Sequence, residues 1–440
     1  MRAAPGHVAA CFMALEQAAI PYAVLHQARR IPESVESDID IVVADGKMSD
    51  LTFLLAQFAE EQGGVLCQVI RHETTARYHV LALPDEFGSP AWMKIDASTD
   101  FRRDGRVVYT SAELLAETRQ VGSVTSVSVG IEFAAYLLKR ILKGSIDNAQ
   151  FESLSQLWVE DAAACSSECS RFFNPDSLEV VADVFRDRGT SVPADTLLAL
   201  RRVVLRGTLT RHPVRALTMA LSKPVRIAGR IMHRTGFQVA VLGPDGVGKS
   251  TLLSGIESLL APAVRRVEFL HLRPGVLPAR GAVDSDSSVP YVRPDFGAVT
   301  SILKLAYLLL DYSLGYWLRL WPKLLASTLL LCDRYYLDVV ADPRRYRYGG
   351  PPWLPGLAAA LVAGPDLYVV LSADTDVVQL RKAEVSPEIT ASQNNAYALL
   401  SGRRRDHVAL VDASGSPGAV LTRVSWLVLK SMARRAVNKP

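Results

Sequence analysis

Paired cysteines are missing from this chain. Its five cysteines, Cys11, Cys67, Cys165, Cys169 and Cys332, are scattered without CxxC spacing, which sets aside a disulfide framework and a zinc site. Cys165 and Cys169 share a helical face, yet no histidine accompanies them, and they read as two small apolar residues. A large charge imbalance is missing too: 49 Lys and Arg face 45 Asp and Glu, a net charge of +4 over 440 residues. That is too slight for a general nucleic-acid coat, and no nucleic-acid partner is expected. No long uncharged apolar run is present. The densest stretch, residues 302–332, is interrupted by Lys304, Asp311, Arg319 and Lys323 and split by Pro322, so two long helices packed on a sheet are expected rather than a membrane span. The opening Met-Arg-Ala-Ala-Pro-Gly-His does not read as a signal peptide, because Glu16, Gln17 and Pro21 break the apolar residues behind it; a cytoplasmic location is expected.

Acidic residues are absent locally as well. Between Asp195 and Asp245 there is no Asp or Glu, while Arg201, Arg202, Arg206, Arg211, Arg215, Lys223, Arg226, Arg230 and Arg234 recur at helix-like spacings among Leu, Val and Ile. One reading is a helix lying on an anionic membrane surface, a peripheral contact with its inner face through residues 201–234. The other is a solvated basic helix that covers the following domain.

What the chain does have is length and apolar content, 49% of its residues, enough for two or three domains. Residues 1–115 read as a small mixed α/β domain: a helix over 8–20, strands at Pro21-Tyr-Ala-Val-Leu-His26 and Ile39-Asp-Ile-Val-Val43, a helix over 48–63, then strands near 66–70, 78–83 and 92–95. Residues 116–235 read as helical, notably 130–143, and end in the basic linker. Residues 236–440 alternate strands and helices. The expected class is α/β, with a parallel sheet flanked by helices in the last domain.

The strongest motif opens that last domain. An apolar strand, Phe237-Gln-Val-Ala-Val-Leu242, runs into Gly243-Pro-Asp245-Gly246-Val-Gly248-Lys249-Ser250-Thr251 and then a helix start. This strand, Gly-rich turn and helix form a P-loop. The glycines let backbone N–H groups cradle a polyphosphate, Lys249 reaches the β/γ oxygens, and Ser250 offers its hydroxyl to Mg²⁺. A chance match is disfavoured because every fixed position and both flanks agree.

Four later segments combine with it. Val267-Glu-Phe-Leu-His-Leu-Arg273-Pro-Gly275 is a strand ending in a cationic turn. Leu329-Leu-Leu-Cys-Asp333-Arg334-Tyr335 is a buried-type strand whose end carries a carboxylate, so Asp333 is a metal or base candidate. Pro365-Asp-Leu-Tyr-Val-Val-Leu371 leads to Arg381-Lys382, cations placed to close over a transferring phosphoryl group. Val408-Ala-Leu-Val-Asp412 is a last strand.

With these residues in order, residues 237–440 resemble the thymidylate kinase family of P-loop kinases. Asp245 stands where that family has its P-loop aspartate, and Arg273-Pro-Gly and Asp333-Arg334-Tyr335 resemble its phosphate-binding turn and its Asp-Arg-Tyr motif. The resemblance implies Mg·ATP as donor, with Arg273 and Arg334 gripping an acceptor phosphate. The chain departs from that pattern at Leu242, where the family often has Glu. It departs again in Tyr336-Leu-Asp338-Val-Val-Ala-Asp342-Pro-Arg344-Arg345-Tyr346-Arg347-Tyr348-Gly-Gly350, which stands in place of the family's base-reading segment. Divergent kinases of this kind resemble proteins of bacterial surface-polysaccharide machinery, so a sugar, sugar phosphate or lipid-linked glycan rivals thymidylate as acceptor.

A second constellation lies near the N-terminus. Asp38 and Asp40 are two residues apart on one strand and so share a face. Trp92-Met-Lys-Ile-Asp96 supplies a third carboxylate from a later strand. Three converging carboxylates would hold two Mg²⁺ ions. Residues 10–110 thereby resemble the minimal nucleotidyltransferase fold of the polymerase-β superfamily. In place of that family's Gly-Ser turn stands Leu25-His-Gln-Ala-Arg29-Arg30. Lys139, Arg140 and Lys143 either meet a triphosphate or cover the domain surface, and His26, His72 and His79 read as structural, since no metal-ligand spacing joins them. Three functions therefore stand: an ATP- and Mg²⁺-dependent phosphotransferase acting on a small phosphate or hydroxyl acceptor; a nucleotidyltransferase using Asp38, Asp40 and Asp96; and an ATP-gated interaction protein.

Overall fold

Alternating apolar and polar residues in the first 130 positions produce strands with distinct faces. In a computed structural model of the chain, which describes residues 2–33, 38–71, 75–103, 106–186, 192–211, 234–278, 291, 293–381, 386–403 and 407–437, the fold is α/β. Two compact units divide it: Arg2–Asp85 with Ala91–Gly229, and Arg230–Pro440 with Glu86–Pro90.

The first unit carries strands β1 (Tyr22–Val24), β2 (Ile39–Val43), β3 (Val65–Arg71), β4 (Ala76–Pro84), β5 (Pro90–Ser98), β6 (Asp100–Arg103), β7 (Arg106–Thr110), β8 (Thr118–Val121) and β9 (Val124–Val127). Seven of them form one mixed sheet in the order β3-β4-β5-β2-β1-β9-β8, while β6 and β7 pair as a hairpin. Helices α1 (Pro5–Gln17) and α2 (Met48–Glu61) cover one face, burying Phe12, Leu15, Leu51 and Leu55 against Ile39, Ile41 and Val43. On the other face Val42 meets Ile131, Ala135 and Leu138 of α3 (Val129–Lys143). Asp40 has the parity of Val42, so α3 covers the face that bears the acidic residues. Further helices bury Phe133, Phe151, Trp158 and Phe185 together, with Cys165 and Cys169 inside the same cluster.

Residues 118–127 differ from the helical expectation. Thr-Arg-Gln-Val and Val-Thr-Ser-Val are too short and polar to show a period of two, yet β9 pairs with β1 and extends the sheet. Such pairing is a tertiary decision that local pattern does not carry.

In the second unit β10 (Phe237–Leu242), β11 (Arg266–His271), β12 (Thr328–Asp333), β13 (Leu367–Ser372) and β14 (Val408–Asp412) form a parallel sheet in the order β11-β12-β10-β13-β14. Every residue of β10 is buried, as expected of a central parallel strand covered on both faces. The chain builds β11 and β12 on one side of β10 and β13 and β14 on the other. Ligands of open α/β sheets bind at such a reversal, beyond the carboxyl ends of the strands.

The expected pair of helices over residues 302–332 is instead one continuous rod from Ala298 to Leu325, with an i→i+5 turn at Tyr316–Leu320. The looser turn lies just before Pro322, which cannot donate to the preceding turn, and so the helix passes the proline without stopping. By length and composition this rod meets the criterion for crossing a membrane, with a third of its most apolar window buried, a correction to the sequence expectation. Its charges serve as struts: Lys304 donates to Tyr346 O at 2.8 Å, Arg319 to Pro274 O at 2.6 Å, and Lys323 pairs with Glu268. Asp311 is fully buried and accepts from Gly275 N and Leu277 N at 3.1 and 2.7 Å.

Candidate functional site

Three strands end at one cleft. β10 runs into the P-loop, β12 into Asp333-Arg334, and β11 into His271 and Arg273, with Val241 beside Asp333 and His271 beside Asp333 in the sheet register. Gly243, Gly246 and Gly248 have φ of +144°, +81° and +106°, the left-handed region that only glycine enters without strain. A Cβ on Gly243 would stand 2.5 Å from Leu371 O, so backbone packing also requires glycine there. Ser250 and Thr251 lie exposed in the first turn of the helix Lys249–Leu260.

Lys249 is buried and donates to Gly243 O at 3.0 Å and Pro244 O at 2.6 Å, with Asp245 Oδ1 at 3.5 Å. Burial, and then the Arg334 charge, push its ammonium down to about 8. Asp245 is held by three cations, Arg334 on one oxygen, Arg345 on the other, and Lys249. Burial alone would raise its carboxyl, but Arg334, Lys249 and Arg345 together lower it to about 2.

Asp333 has two distinct oxygens. Oδ2 lies 3.4 Å from His271 Nδ1, while Oδ1 is buried with no hydrogen-bond partner among the described residues. Burial would raise this carboxyl too, yet the His271 hydrogen bond and the charges of Lys249 and Arg334 keep it below the usual range. A buried, ionised oxygen without a donor is costly unless something cationic meets it. Beside a glycine nest, a lysine and the Ser250 hydroxyl, it is the hard-oxygen environment that suits a Mg²⁺-bearing polyphosphate.

The other predicted cations sit differently. Arg334, at φ +66°, is buried between Asp245 and Asp338. Arg273 pairs with Asp311 at 3.3 Å. Arg381 donates to Ala413 O at 2.9 Å and to Val247 O, Ser414 O and Gly415 O at 3.3–3.5 Å, bridging the P-loop to the turn after β14. Lys382 lies outside the described residues, as does 212–233 of the basic segment.

In the sequence the stretch 336–350 stands out only as a departure from a family pattern, and its role is not legible from that pattern. Asp338, fully buried, takes Arg334 at 3.1 Å and the hydroxyls of Tyr346 and Tyr397 at 2.9 and 2.5 Å. Arg345 reaches Asp245 and lies 3.5 Å from Asp342. A signal was present: Arg334 and Asp338 are four apart, and Asp342 and Arg345 three apart, spacings at which side chains meet on a helical turn.

The N-terminal face has another arrangement. The β2–β5 register sets Asp40 directly beside Asp96, and Asp38 lies two residues before it. The Tyr78 hydroxyl bonds Asp38; burial first, and then Asp38, Asp96 and Asp40, raise its pKa strongly. Asp40 is occupied on two sides: Lys139 Nζ lies at 2.7 Å and His26 Nε2 at 2.6 Å, themselves 2.8 Å apart. Burial opposes ionisation of Asp40, but His26 and Lys139 hold its carboxyl far below the usual range. Among the described residues no group of three His, Cys, Asp or Glu side chains is placed to hold a metal. The residues do not fit the two-Mg²⁺ centre expected of Asp38, Asp40 and Asp96, because an ammonium stands where a cation would bind. His26, read as structural, belongs to this cluster; His79 instead meets Thr52 Oγ1 at 2.9 Å.

No family model matches the chain, and no curated protein matches it. Among solved structures, it is similar to thymidylate kinase from Ehrlichia chaffeensis, with 15% identity over 43% of this chain and 96% of that one and a TM-score of 0.32.

Proposed function

We propose that the second unit is an ATP- and Mg²⁺-dependent phosphotransferase, moving the γ-phosphoryl group of ATP to a small acceptor. The observation that carries this reading is the pairing of a P-loop, with three left-handed glycines and a buried Lys249, with the unpartnered buried oxygen of Asp333 one strand away. On binding, Lys249 exchanges the carbonyls of Gly243 and Pro244 for phosphate oxygens, and the P-loop N–H groups hold the β-phosphate. Ser250 and Asp333 would hold Mg²⁺, which when bound would neutralise charge developing on the phosphates. Arg334, Arg345 and Lys249 fix the Asp245 carboxylate and with it the P-loop entrance.

The test is transfer of label from γ-labelled ATP by the full chain, across nucleoside monophosphates and sugars, with Lys249→Ala alongside. Equal turnover with Lys249 replaced sinks the assignment. Transfer of α-label instead would return the reading to the Asp38, Asp40 and Asp96 face.

A further inference from the structure

Three described cations of this cleft are matched to buried acceptors. Arg334 lies between Asp245 and Asp338, and Arg345 between Asp245 and Asp342. Arg273 lies on Asp311. Asp311 and Asp338 are fully buried, and Asp245 and Asp342 nearly so. A phosphomonoester acceptor, carrying close to two negative charges, would have to draw these guanidinia away. Each move takes a guanidinium from a buried carboxylate, and weakening an internal ion pair from one side is costly. It would also bring the new charge next to the polyphosphate and Asp333. An uncharged acceptor meets neither penalty.

We infer that the acceptor end of this site takes a neutral hydroxyl, of the sugar or polyol kind, rather than a phosphate group. The inference rests on the phosphotransferase reading and narrows its substrate class. In the step, the acceptor hydroxyl oxygen bonds the γ-phosphorus as the bond from that phosphorus to the β,γ-bridging oxygen breaks. The electron pair departs on ADP, and the hydroxyl proton is released to water. The arginines act as internal braces here: Arg345 and Arg334 hold the P-loop carboxylate from the segment that follows β12, and Arg273 holds its own turn through Asp311.

The experiment titrates the full chain, saturated with Mg²⁺ and a non-hydrolysable ATP analogue, with inorganic phosphate, thymidylate, glucose 6-phosphate and glycerol 3-phosphate by calorimetry. The expected result is that none binds more tightly than about 1 mM. Asp338→Asn, which leaves Arg334 with surplus charge, should gain at least about tenfold in phosphate affinity. Asp311→Asn offers the same readout at Arg273 should the first variant not fold, and the unmodified chain gives an answer by itself. A phosphomonoester that binds the unmodified chain below about 1 mM and loses about tenfold or more in Arg334→Gln or Arg273→Gln overturns the inference. Failure of the ATP analogue itself to bind is a separate result, which removes the phosphotransferase reading.

Discussion

The two units each place a lysine against an aspartate at the end of a strand, and the difference lies in what surrounds the pair. In the P-loop, Lys249 is held chiefly by two backbone carbonyls, with Asp245 at 3.5 Å. A ligand that offers phosphate oxygens can replace those carbonyls without stripping a carboxylate, because Arg334 and Arg345 still hold Asp245. On the N-terminal face, Lys139 donates directly to Asp40, at 2.7 Å, and His26 closes the other side. There the lysine is the counter-ion itself, and no glycine turn supplies backbone donors. On the proposed reading, a lysine near a carboxylate can turn to a phosphate only where other groups can take over the carboxylate.

The largest effect that would break this contrast comes from Lys249→Ala. It should lower γ-phosphoryl transfer by at least about 10³-fold, about 4 kcal/mol of transition-state stabilisation, whereas Asp38→Ala should stay within about threefold. A similar loss in both variants would mean that the two units share one reaction.

Next is Arg345→Gln. It removes one partner from the buried Asp245, which keeps Arg334 and Lys249, and should cost about 2–3 kcal/mol of stability by urea unfolding. An unchanged midpoint would show that Arg345 is not a brace of the P-loop.

Lys139→Ala sharpens the other side of the contrast. Asp40 keeps His26 and is partly solvated, so the cost should be about 1–2 kcal/mol. Freed of its ammonium, the face should gain Mn²⁺ affinity by about tenfold or more, read by paramagnetic titration. If no gain appears, the lysine is not what keeps metal from the three aspartates.

The smallest effect is one of pH. Lys249 titrates near 8 in the free protein against 10.5 as the ordinary value. Affinity for an ATP analogue should therefore be flat below about pH 8 and fall by about tenfold, 1.4 kcal/mol, for each unit above it. The stability of the free protein moves the other way. Between about 8 and 10.5 the unfolded chain holds a proton that the folded chain has lost, so this group's contribution to stability rises with pH. Lys249→Arg should flatten both profiles, since guanidinium stays charged.

Much of the proposed donor half was legible in the sequence. Gly243, Gly246, Gly248 and Lys249 act through local backbone conformation, and an apolar strand ending in Asp333 needs only its neighbour to find the cleft. The bounds of β2, β10 and β14 match the runs read from sequence. The bracing was not legible. Arg345 meets a carboxylate 100 residues earlier and Lys139 one 99 residues earlier. Asp311, read as an interruption of an apolar run, is what holds the Arg273 turn. Nor was the contact of Arg381 with the backbone carbonyl of Ala413, 32 residues later, legible.

The sequence by itself determined where the chain turns, which strands are buried on both faces, and that a glycine nest with a lysine precedes a helix. These follow from φ preferences and periodicity, which act over a few residues. Only the tertiary structure decided which carboxylate each cation meets. An ion pair is strong where packing excludes water, and the packing that excludes it brings together residues far apart in the chain.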